Sequence, residues 1–291
     1  MDTLGTLLAD LAAKGPERPA ITCAGRTLTF GELDARSSQV AHALVRDGMR
    51  PGDRLAVLTT NRPEYFELLF GAARARAVLV GLNWRLSGPE IAAIADDAAP
   101  AAVFAGGDQR ELLPASLLDR VVDLDTGYEA WIAGLPAAPP DTAPVAEDVV
   151  LQLYSSGTTG LPKEARLTSA NLLYTPRMGR ESYRMGPDSV NLLASPLFHI
   201  GGTGYGLTTL GQGGHTVLMA EVDPAAMLRL ITEHRVTHAF FVPAVVQMLI
   251  DQPGVADAEL SCLQVIAYGG APMTEALLLR AMATLRCAFL G

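Results

Sequence analysis

Short apolar runs that alternate with amphipathic segments constrain the fold of this chain more than any other feature. Residues 54–58 predict a strand, 63–75 a helix and 77–80 a second strand, and the ranges 87–95 and 101–105 repeat the helix and the strand. Strands joined by helices in this way run parallel to one another in one sheet. The sequence therefore predicts an α/β fold with a mainly parallel sheet.

The rest of the chain continues the same alternation. Residues 4–13 predict a helix, 20–30 a hairpin and 31–47 an amphipathic helix, and the Ala/Pro-rich residues 134–144 predict an exposed connector. Beyond the connector the pattern predicts a helix capped by Thr168, strands over 191–194, 236–242 and 265–268, helices over 224–234 and 244–250, and a helix capped by Thr274. We interpret the whole as two interleaved α/β lobes, residues 49–187 and residues 1–48 plus 188–291.

A run of small polar residues follows the apolar strand predicted over residues 149–153. The run contains Ser155, Ser156, Gly157, Thr158, Thr159, Gly160 and Lys163. Glycines let backbone N–H groups converge on an anion, hydroxyls add donors, and the lysine supplies a compact positive charge. This arrangement predicts a phosphate-binding loop, although composition alone favours a Gly/Ser/Thr linker. It is not a Walker loop, because the two glycines are only three residues apart and Glu164 follows the lysine.

Charge and cysteine content exclude several classes of protein. The 291-residue chain has 49% hydrophobic and 18% charged residues, which is typical of a globular protein. Its net charge of -9 disfavours nucleic acid as a partner, because phosphate backbones are bound by clustered Lys and Arg. No apolar stretch reaches the ~20 residues of a membrane-spanning helix. Three scattered cysteines suit neither a disulfide framework nor a metal site. We expect a cytoplasmic protein with no integral membrane segment.

Three segments resemble the sequence signatures of the adenylate-forming superfamily, which includes acyl-CoA synthetases, peptide-synthetase adenylation domains and luciferase. The first follows the pattern Thr/Ser-Ser-Gly-Thr-Thr-Gly-x-Pro-Lys-Gly; nine of its ten positions match, and Glu164 replaces the last glycine. The second is Pro196-Leu197-Phe198-His199-Ile200-Gly201-Gly202, and the third is Tyr268-Gly269-Gly270-Ala271-Pro272. Their order along the chain is also that of the superfamily, so the resemblance covers nearly the whole chain.

The resemblance implies a role for individual residues. The loop would hold the phosphates of ATP through Ser155, Ser156, Gly157, Thr158, Thr159, Gly160 and Lys163. The adenine ring would lie against Gly269, Gly270, Ala271 and Pro272. The carboxylate substrate would lie against Phe198, His199, Gly202, Tyr205, Val242, Pro243 and Tyr268. The predicted catalytic residues are Lys163, Thr158 and His199. We expect His199 to position the substrate rather than to transfer a proton; a lone histidine in an apolar context is otherwise more often structural.

The superfamily joins a carboxylic acid to ATP, releases pyrophosphate and passes the acyl-adenylate to a thiol such as coenzyme A. The resemblance therefore implies an acyl-CoA synthetase, a ligase that uses ATP, Mg²⁺ and coenzyme A. Because residues 198–205 and 240–246 are largely apolar, we expect a small-molecule carboxylate with an aliphatic or aromatic body, such as a fatty acid. A non-catalytic nucleotide- or acyl-binding protein is the alternative.

The resemblance ends before several later motifs of the superfamily. We interpret the chain as a truncated N-terminal adenylation domain over residues 1–291, with the C-terminal domain absent. Apolar surface left exposed by the missing part would favour self-association. Glu164 allows two outcomes: its carboxylate points to solvent, or it weakens ATP binding by repelling the phosphates.

Two further patterns give weak signals. Alternate glycines over residues 202–206 resemble part of a dinucleotide loop but lack its third spacing and its acidic partner. His234 and His238 have the spacing of two metal ligands on a helix, but the β-branched run beginning at Val236 predicts a change to strand. We therefore predict no metal site at these histidines.

Overall fold

Contacts within the chain divide it into two units. The computed structural model describes residues 2–155 and 163–291. Unit 1 comprises the residues up to Glu17, Thr29–Tyr174 and Leu197–His199, and unit 2 comprises Arg18–Leu28, Thr175–Pro196 and Ile200–Gly291. The units are interleaved along the sequence. They differ from the predicted lobes mainly in residues 1–17, 29–48 and 175–187, which belong to the other unit.

The helices and strands alternate along most of the chain. In chain order the strands are β1 (Pro19–Cys23), β2 (Arg26–Thr29), β3 (Arg54–Leu58), β4 (Val78–Gly81), β5 (Ala102–Ala105), β6 (Val121–Asp123), β7 (Val149–Ser155), β8 (Lys163–Thr168), β9 (Val190–Leu193), β10 (His215–Leu218), β11 (His238–Phe241), β12 (Val265–Tyr268) and β13 (Ala288–Leu290). The helices are α1 (Leu4–Lys14), α2 (Phe30–Arg46), α3 (Glu64–Ala75), α4 (Gly88–Ala98), α5 (Tyr128–Ile132), α6 (Ser169–Glu181), α7 (Ile200–Leu210), α8 (Pro224–Glu233), α9 (Pro243–Ile250) and α10 (Glu275–Leu285), with 3₁₀ turns at Gly107–Leu112 and Ala115–Arg120.

Unit 1 is built on a six-stranded sheet in the order β6-β5-β3-β4-β7-β8. Neighbouring strands are parallel except for β7 and β8, which are antiparallel. This arrangement confirms the predicted α/β fold with a mainly parallel sheet. Because β3, β4 and β7 run in the same direction, their carboxyl ends meet at one edge, which is where open α/β sheets bind ligands.

Helices α2 and α3 pack closely in unit 1 because Gly71 has no side chain. A Cβ atom built on Gly71 would lie 2.3 Å from Val40 Cγ1. Nearby, the Glu67 carboxylate is 1% exposed and accepts hydrogen bonds from Arg36 Nε at 2.8 Å and from the Tyr128 hydroxyl at 2.7 Å. Arg36 also pairs with Glu129 at 2.6 Å. Burial raises the pKa of Glu67, and the charge of Arg36 opposes that shift.

Unit 2 is built on a seven-stranded sheet in the order β13-β12-β11-β9-β10-β1-β2. The pairs β1–β10, β10–β9, β9–β11, β11–β12 and β12–β13 are all parallel. A turn at Ala24 and Gly25 joins β1 to β2, and both residues have positive φ (48° and 80°), which matches a type I′ hairpin turn. The second mainly parallel sheet confirms the prediction of two α/β lobes.

A histidine pair lies beside the hairpin of unit 2. His215 Nε2 is 2.7 Å from Thr22 Oγ1, and the ring of His234 lies 6.0 Å away from that of His215. Burial, together with the neighbouring His234, lowers the pKa of His215 to about 4. The imidazole is therefore neutral at pH 7.

Two sequence patterns have a different structure from the one that their spacing suggests. The alternate glycines over residues 202–206 lie inside helix α7 and form no dinucleotide loop, which agrees with the weakness of that signal. His234 follows the end of α8 and His238 begins β11, as the β-branched run predicted. In the part of the chain that is described, no group of three His, Cys, Asp or Glu residues could hold a metal ion, and no helix is long and apolar enough to cross a membrane.

Candidate functional site

The strand that leads into the predicted phosphate loop is paired with the strand that follows the loop. Ser155 ends β7, Lys163 begins β8, and the two are Cα partners in the antiparallel ladder. The Ser155 hydroxyl donates to the Lys163 carbonyl at 3.3 Å, and both residues are exposed. The loop residues Ser156, Gly157, Thr158, Thr159 and Gly160 lie outside the described residues. Both ends of the loop are therefore fixed at the carboxyl edge of the unit 1 sheet.

Glu164, the departure from the superfamily pattern, is paired with a cation on its own strand. Arg166 lies two residues further along β8, and its guanidinium is 2.8 Å from the Glu164 carboxylate. Residues two apart on a strand share a face. The Glu164 side chain is 37% exposed. The carboxylate is thus accessible to solvent and partly neutralised, and its effect on nucleotide binding stays a prediction.

The segment Leu197–His199 packs at the same edge of the unit 1 sheet. Leu197 N–H donates a hydrogen bond of 2.9 Å to Asn61 Oδ1, and Asn61 follows β3. Gly81 at the end of β4 permits a close approach, because a Cβ there would lie 3.1 Å from Phe198 Cα and 3.3 Å from Leu153 Cδ2. Phe198 is buried, with its ring 6.4 Å from that of Trp84. These contacts bring His199 to the edge at which β7 ends.

His199 is an exposed residue whose imidazole is held in the neutral state. Partial burial of the ring lowers its pKa, and the positive charge of Arg85 lowers it further. The Arg85 guanidinium lies 5.0 Å from the Trp84 ring centroid, a cation–π contact. No carboxylate pairs with Arg85 among the described residues. A neutral imidazole can orient a ligand through one donor and one acceptor but carries no proton to release at pH 7.

The predicted adenine turn lies at the carboxyl edge of the unit 2 sheet. Tyr268 ends β12, and Gly270 has φ +78°, a conformation that glycine adopts without strain. A Cβ at Gly269 would lie 3.5 Å from the Phe240 ring, and a Cβ at Gly270 3.3 Å from Val242 Cγ1. Ala271 and Pro272, which complete the turn, are exposed.

The other predicted pocket residues of unit 2 lie around helix α7. Gly202 must be glycine, because a Cβ there would lie 2.2 Å from the Pro196 carbonyl oxygen. Tyr205 is 5% exposed, and its hydroxyl donates to the Ala239 carbonyl at 3.0 Å. Pro243 is buried at the start of α9. Tyr205 and Pro243 are therefore integral to the interior of unit 2.

Each unit brings together part of the predicted site. Unit 1 contains Ser155, Lys163, Phe198 and His199, and unit 2 contains Gly202, Tyr205, Val242, Pro243, Tyr268, Gly269, Gly270, Ala271 and Pro272.

Sequence reasoning missed four residues that hold or surround His199, namely Asn61, Gly81, Trp84 and Arg85. Their position could have indicated them, because all four follow predicted strands at the edge that binds ligands.

Two interleaved α/β units, with the two ends of a Gly/Ser/Thr segment and a histidine segment at one sheet edge, are features of a nucleotide-binding ligase fold. The family of AMP-binding enzymes matches residues 8–291, and the chain belongs to that family. This result confirms the resemblance to the adenylate-forming superfamily.

Curated relatives match nearly all of this chain. A fatty acid–[acyl-carrier-protein] ligase, ScoC, from Streptomyces coeruleorubidus is 36% identical over 284 residues, which cover 94% of this chain and 54% of that protein. A feruloyl-CoA synthase from an Amycolatopsis species is 35% identical and covers 93% of this chain and 55% of its own length. The chain therefore spans about half the length of these relatives.

Solved structures share the fold. The inhibitor-bound N-terminal domain of FACL13 from Mycobacterium tuberculosis has a TM-score of 0.90 and 26% identity, and the match covers 99% of this chain and 75% of that one. ATP-bound MatB from Rhodopseudomonas palustris has a TM-score of 0.86 and 27% identity, and the match covers 98% of this chain and 58% of that one. The fold is that of the N-terminal domain of an adenylate-forming enzyme.

Proposed function

We propose that this chain binds ATP and a carboxylic acid and takes part in forming an acyl-adenylate. A carboxylate oxygen bonds to the α-phosphorus, the bond from that phosphorus to the bridging oxygen breaks, and pyrophosphate leaves. The sulfur of a deprotonated thiol then bonds to the acyl carbon, the bond from that carbon to the adenylate oxygen breaks, and AMP leaves. Coenzyme A is our first candidate for the thiol because a relative is a feruloyl-CoA synthase. Family membership over residues 8–291 supports the adenylation step.

One observation carries the proposal: the loop-bearing strand pair and the His199 segment lie at the same edge of the unit 1 sheet. A Cβ built on Gly81 would lie 3.1 Å from Phe198 Cα and 3.3 Å from Leu153 Cδ2, so Gly81 lies between the His199 segment and the strand that leads into the loop. An acid and a triphosphate must meet at such a place, where positioning can supply much of the rate.

Local positive charge supports anion binding in a chain whose net charge is negative. Lys163 is exposed at the end of the loop, and Arg85 has no carboxylate partner among the described residues. These two cations would attract the phosphates and the carboxylate, which otherwise repel one another. We assign Lys163 and Thr158 to the phosphates and His199 to positioning of the carboxylate.

Mg²⁺ enters this proposal with the nucleotide. The described residues contain no group of three His, Cys, Asp or Glu side chains suited to a metal ion. Mg²⁺ is usually held through one or two carboxylates plus substrate phosphates, where it neutralises developing charge. We propose ATP–Mg²⁺ as the form that binds. The cytoplasmic location and self-association stay predictions.

The substrate is proposed as a carboxylic acid with an apolar body. Among the predicted pocket segments of unit 2, the rings of Tyr205 and Phe240 have centroids 5.5 Å apart. Apolar and aromatic walls suit aliphatic or aromatic acids. The named substrates of the relatives, a fatty acid and ferulate, belong to these two classes.

The test is carboxylate-dependent exchange of labelled pyrophosphate into ATP, using the 291-residue protein with short, long and aromatic acids. Exchange with one acid and loss of exchange in Lys163→Ala would support the proposal. Nucleotide binding is measured separately by protection of Lys163 from an amine-reactive reagent. Lys14 and Lys163 are the only lysines in the sequence, so Lys14→Arg leaves one reactive side chain.

These two measurements separate the candidates. ATP protection without exchange would favour the second function, nucleotide or acyl binding without turnover by this chain. Absence of both protection and exchange would overturn the proposal. Lys14→Arg alone serves as the control, because Lys14 is an exposed residue at the end of α1.

A further inference from the structure

Two polar side chains are paired across strands inside unit 2 without a hydrogen-bond partner. Asn191 in β9 and Thr216 in β10 are Cα partners in the parallel ladder, and both are 0% exposed. Among the described residues, none forms a hydrogen bond with Asn191 Nδ2, Asn191 Oδ1 or Thr216 Oγ1. Native proteins rarely leave buried polar groups unpaired, because each carries an uncompensated desolvation penalty.

The neighbours of this pair on the sheet cannot supply the missing hydrogen bonds. His238 is the partner of Asn191 on β11, but its Nδ1 is 2.7 Å from Thr237 Oγ1 and its Nε2 is 2.9 Å from the Tyr183 carbonyl oxygen. Strands β9 and β10 each have a neighbour on both sides, so their backbone groups are engaged in ladders. The described strands of the sheet therefore offer these two side chains no hydrogen-bond partner.

Helix α7 covers the face of the sheet to which Asn191 and Thr216 belong. The next residues along the two strands, Leu192 and Val217, belong to the core packed against α8 and α9, so the polar pair faces the opposite way. The buried Thr208 hydroxyl of α7 donates to the Gly204 carbonyl at 2.8 Å within its own helix. It is therefore not available as a donor to this pair.

A third buried polar side chain shows why the strand pair is different. Ser37 Oγ also has no partner among the described residues, but Ser37 lies in helix α2. A serine on a helix can rotate to donate to the carbonyl one turn earlier. Asn191 and Thr216 lie on strands, where no such carbonyl is within local reach.

We propose that Asn191 and Thr216 bind one internal water molecule between the sheet and α7. The Asn191 amide offers two N–H donors and one acceptor, and the Thr216 hydroxyl both donates and accepts, which suits water as bridging ligand. Buried waters typically make about three hydrogen bonds to otherwise unpaired groups. No charged side chain belongs to the pair, which favours a neutral molecule over an ion as the occupant. This site is independent of the proposed enzymatic function.

A crystal structure of the 291-residue protein at a resolution that shows ordered solvent tests the proposal directly. We expect a solvent peak within about 3.2 Å of both the Asn191 amide and Thr216 Oγ1. A direct Asn191–Thr216 hydrogen bond with no solvent between the side chains would overturn the proposal.

Oxygen-17 relaxation dispersion provides a solution test, because it counts long-lived internal waters. The double variant Asn191→Leu with Thr216→Val should lose one such water relative to the wild type. Thr208→Val is the matched control, since it removes a buried hydroxyl that already has a backbone partner, and it should lose none. An unchanged count in the double variant contradicts the proposal. If the double variant does not fold, the wild-type crystal structure decides alone.

Discussion

The Asn61 side chain accepts a hydrogen bond from the backbone N–H of Leu197, which lies 136 residues further along the chain. This bond holds the segment that carries Phe198 and His199. Replacing Asn61 with Leu leaves a buried N–H group unpaired, at a cost of about 1–3 kcal/mol. We expect the pyrophosphate exchange rate to fall about tenfold or more.

Asn61→Asp is the matched control for this prediction, because a carboxylate retains an acceptor at the same position. It should keep most of the exchange activity, while urea unfolding should show a larger loss of stability in Asn61→Leu. Equal activity in the wild type and Asn61→Leu would contradict the positioning role.

Arg85 lowers the pKa of His199, so its removal should raise that pKa. In Arg85→Gln the repulsive charge is gone but partial burial of the ring remains, and the pKa should therefore rise only partway towards the ordinary value near 6.5. NMR titration of the histidine Cε1–H signals measures the change. The exposed Arg50 is the control: Arg50→Gln should leave the titration of His199 unaltered, and a shift as large as that of Arg85→Gln would refute the assignment.

Glu164 and Arg166 form an ion pair beside the phosphate loop, so the two charges should have opposite effects on nucleotide affinity. Glu164→Gly removes a carboxylate that repels phosphates and should tighten ATP binding. Arg166→Gln removes the cation that neutralises it and should weaken binding. The pair is exposed, and we therefore expect each change to be about 1 kcal/mol or less. Calorimetric titration with ATP at low and high salt measures both effects, which salt should reduce.

The buried carboxylate of Glu67 should depend strongly on Arg36. Arg36→Met leaves Glu67 buried without its cation and should lower the free energy of unfolding by about 3–5 kcal/mol. Glu129 is the exposed member of the same ion-pair network, and its side chain is 65% exposed. Glu129→Gln should therefore lower the free energy of unfolding much less. Denaturant unfolding compares the two variants, and similar losses would show that burial of Glu67 is not the dominant cost.

Stability should fall on mild acidification because of His215. Its folded-state pKa of about 4 lies below the ordinary value of 6.5, so the unfolded state binds the proton first as the pH falls. The contribution of neutral His215 to the free energy of unfolding is therefore fully present above about pH 6.5. It is lost as the pH falls from 6.5 to about 4. From pH 7 to pH 5 the loss is about 2 kcal/mol.

His215→Gln should remove that part of the pH dependence, as measured by urea unfolding at the two pH values. His42→Gln, which changes a histidine hydrogen-bonded to the Ala138 carbonyl, should retain it. A variant of His215 with the same pH dependence as the wild type would reject the assignment.

The sequence predicted the strands and helix starts that their own residues define, through short apolar runs or capping side chains. Strands β3 and β12 match the predicted ranges 54–58 and 265–268, because short runs of apolar residues between turns are typical of buried parallel strands. The predicted caps are also present: Thr274 Oγ1 accepts from Leu277 N–H, and Thr168 Oγ1 accepts from Asn171 N–H.

Elements stabilised mainly by their neighbours were missed. Strand β8 is exposed over most of its length and carries charged residues, so only pairing with β7 defines it. Helix α7 contains four glycines, which disfavour a helix intrinsically, and burial against the sheet compensates for that cost. The surroundings of His199 depend on Asn61, Gly81, Trp84 and Arg85, which are distant from it in sequence. Their place after predicted strands was a usable signal, but their contacts with the His199 segment depend on the tertiary fold.

The segment Leu197–His199 belongs to unit 1 but is synthesised after the rest of that unit. At about 5–20 residues per second, roughly 7–27 s separate the appearance of Asn61 from that of Leu197. During this interval most of unit 1 has left the ribosome, but the segment that completes its ligand-binding edge has not yet been made. Unit 1 can therefore acquire its sheet early, whereas the position of His199 is set only when translation has passed into the sequence of unit 2.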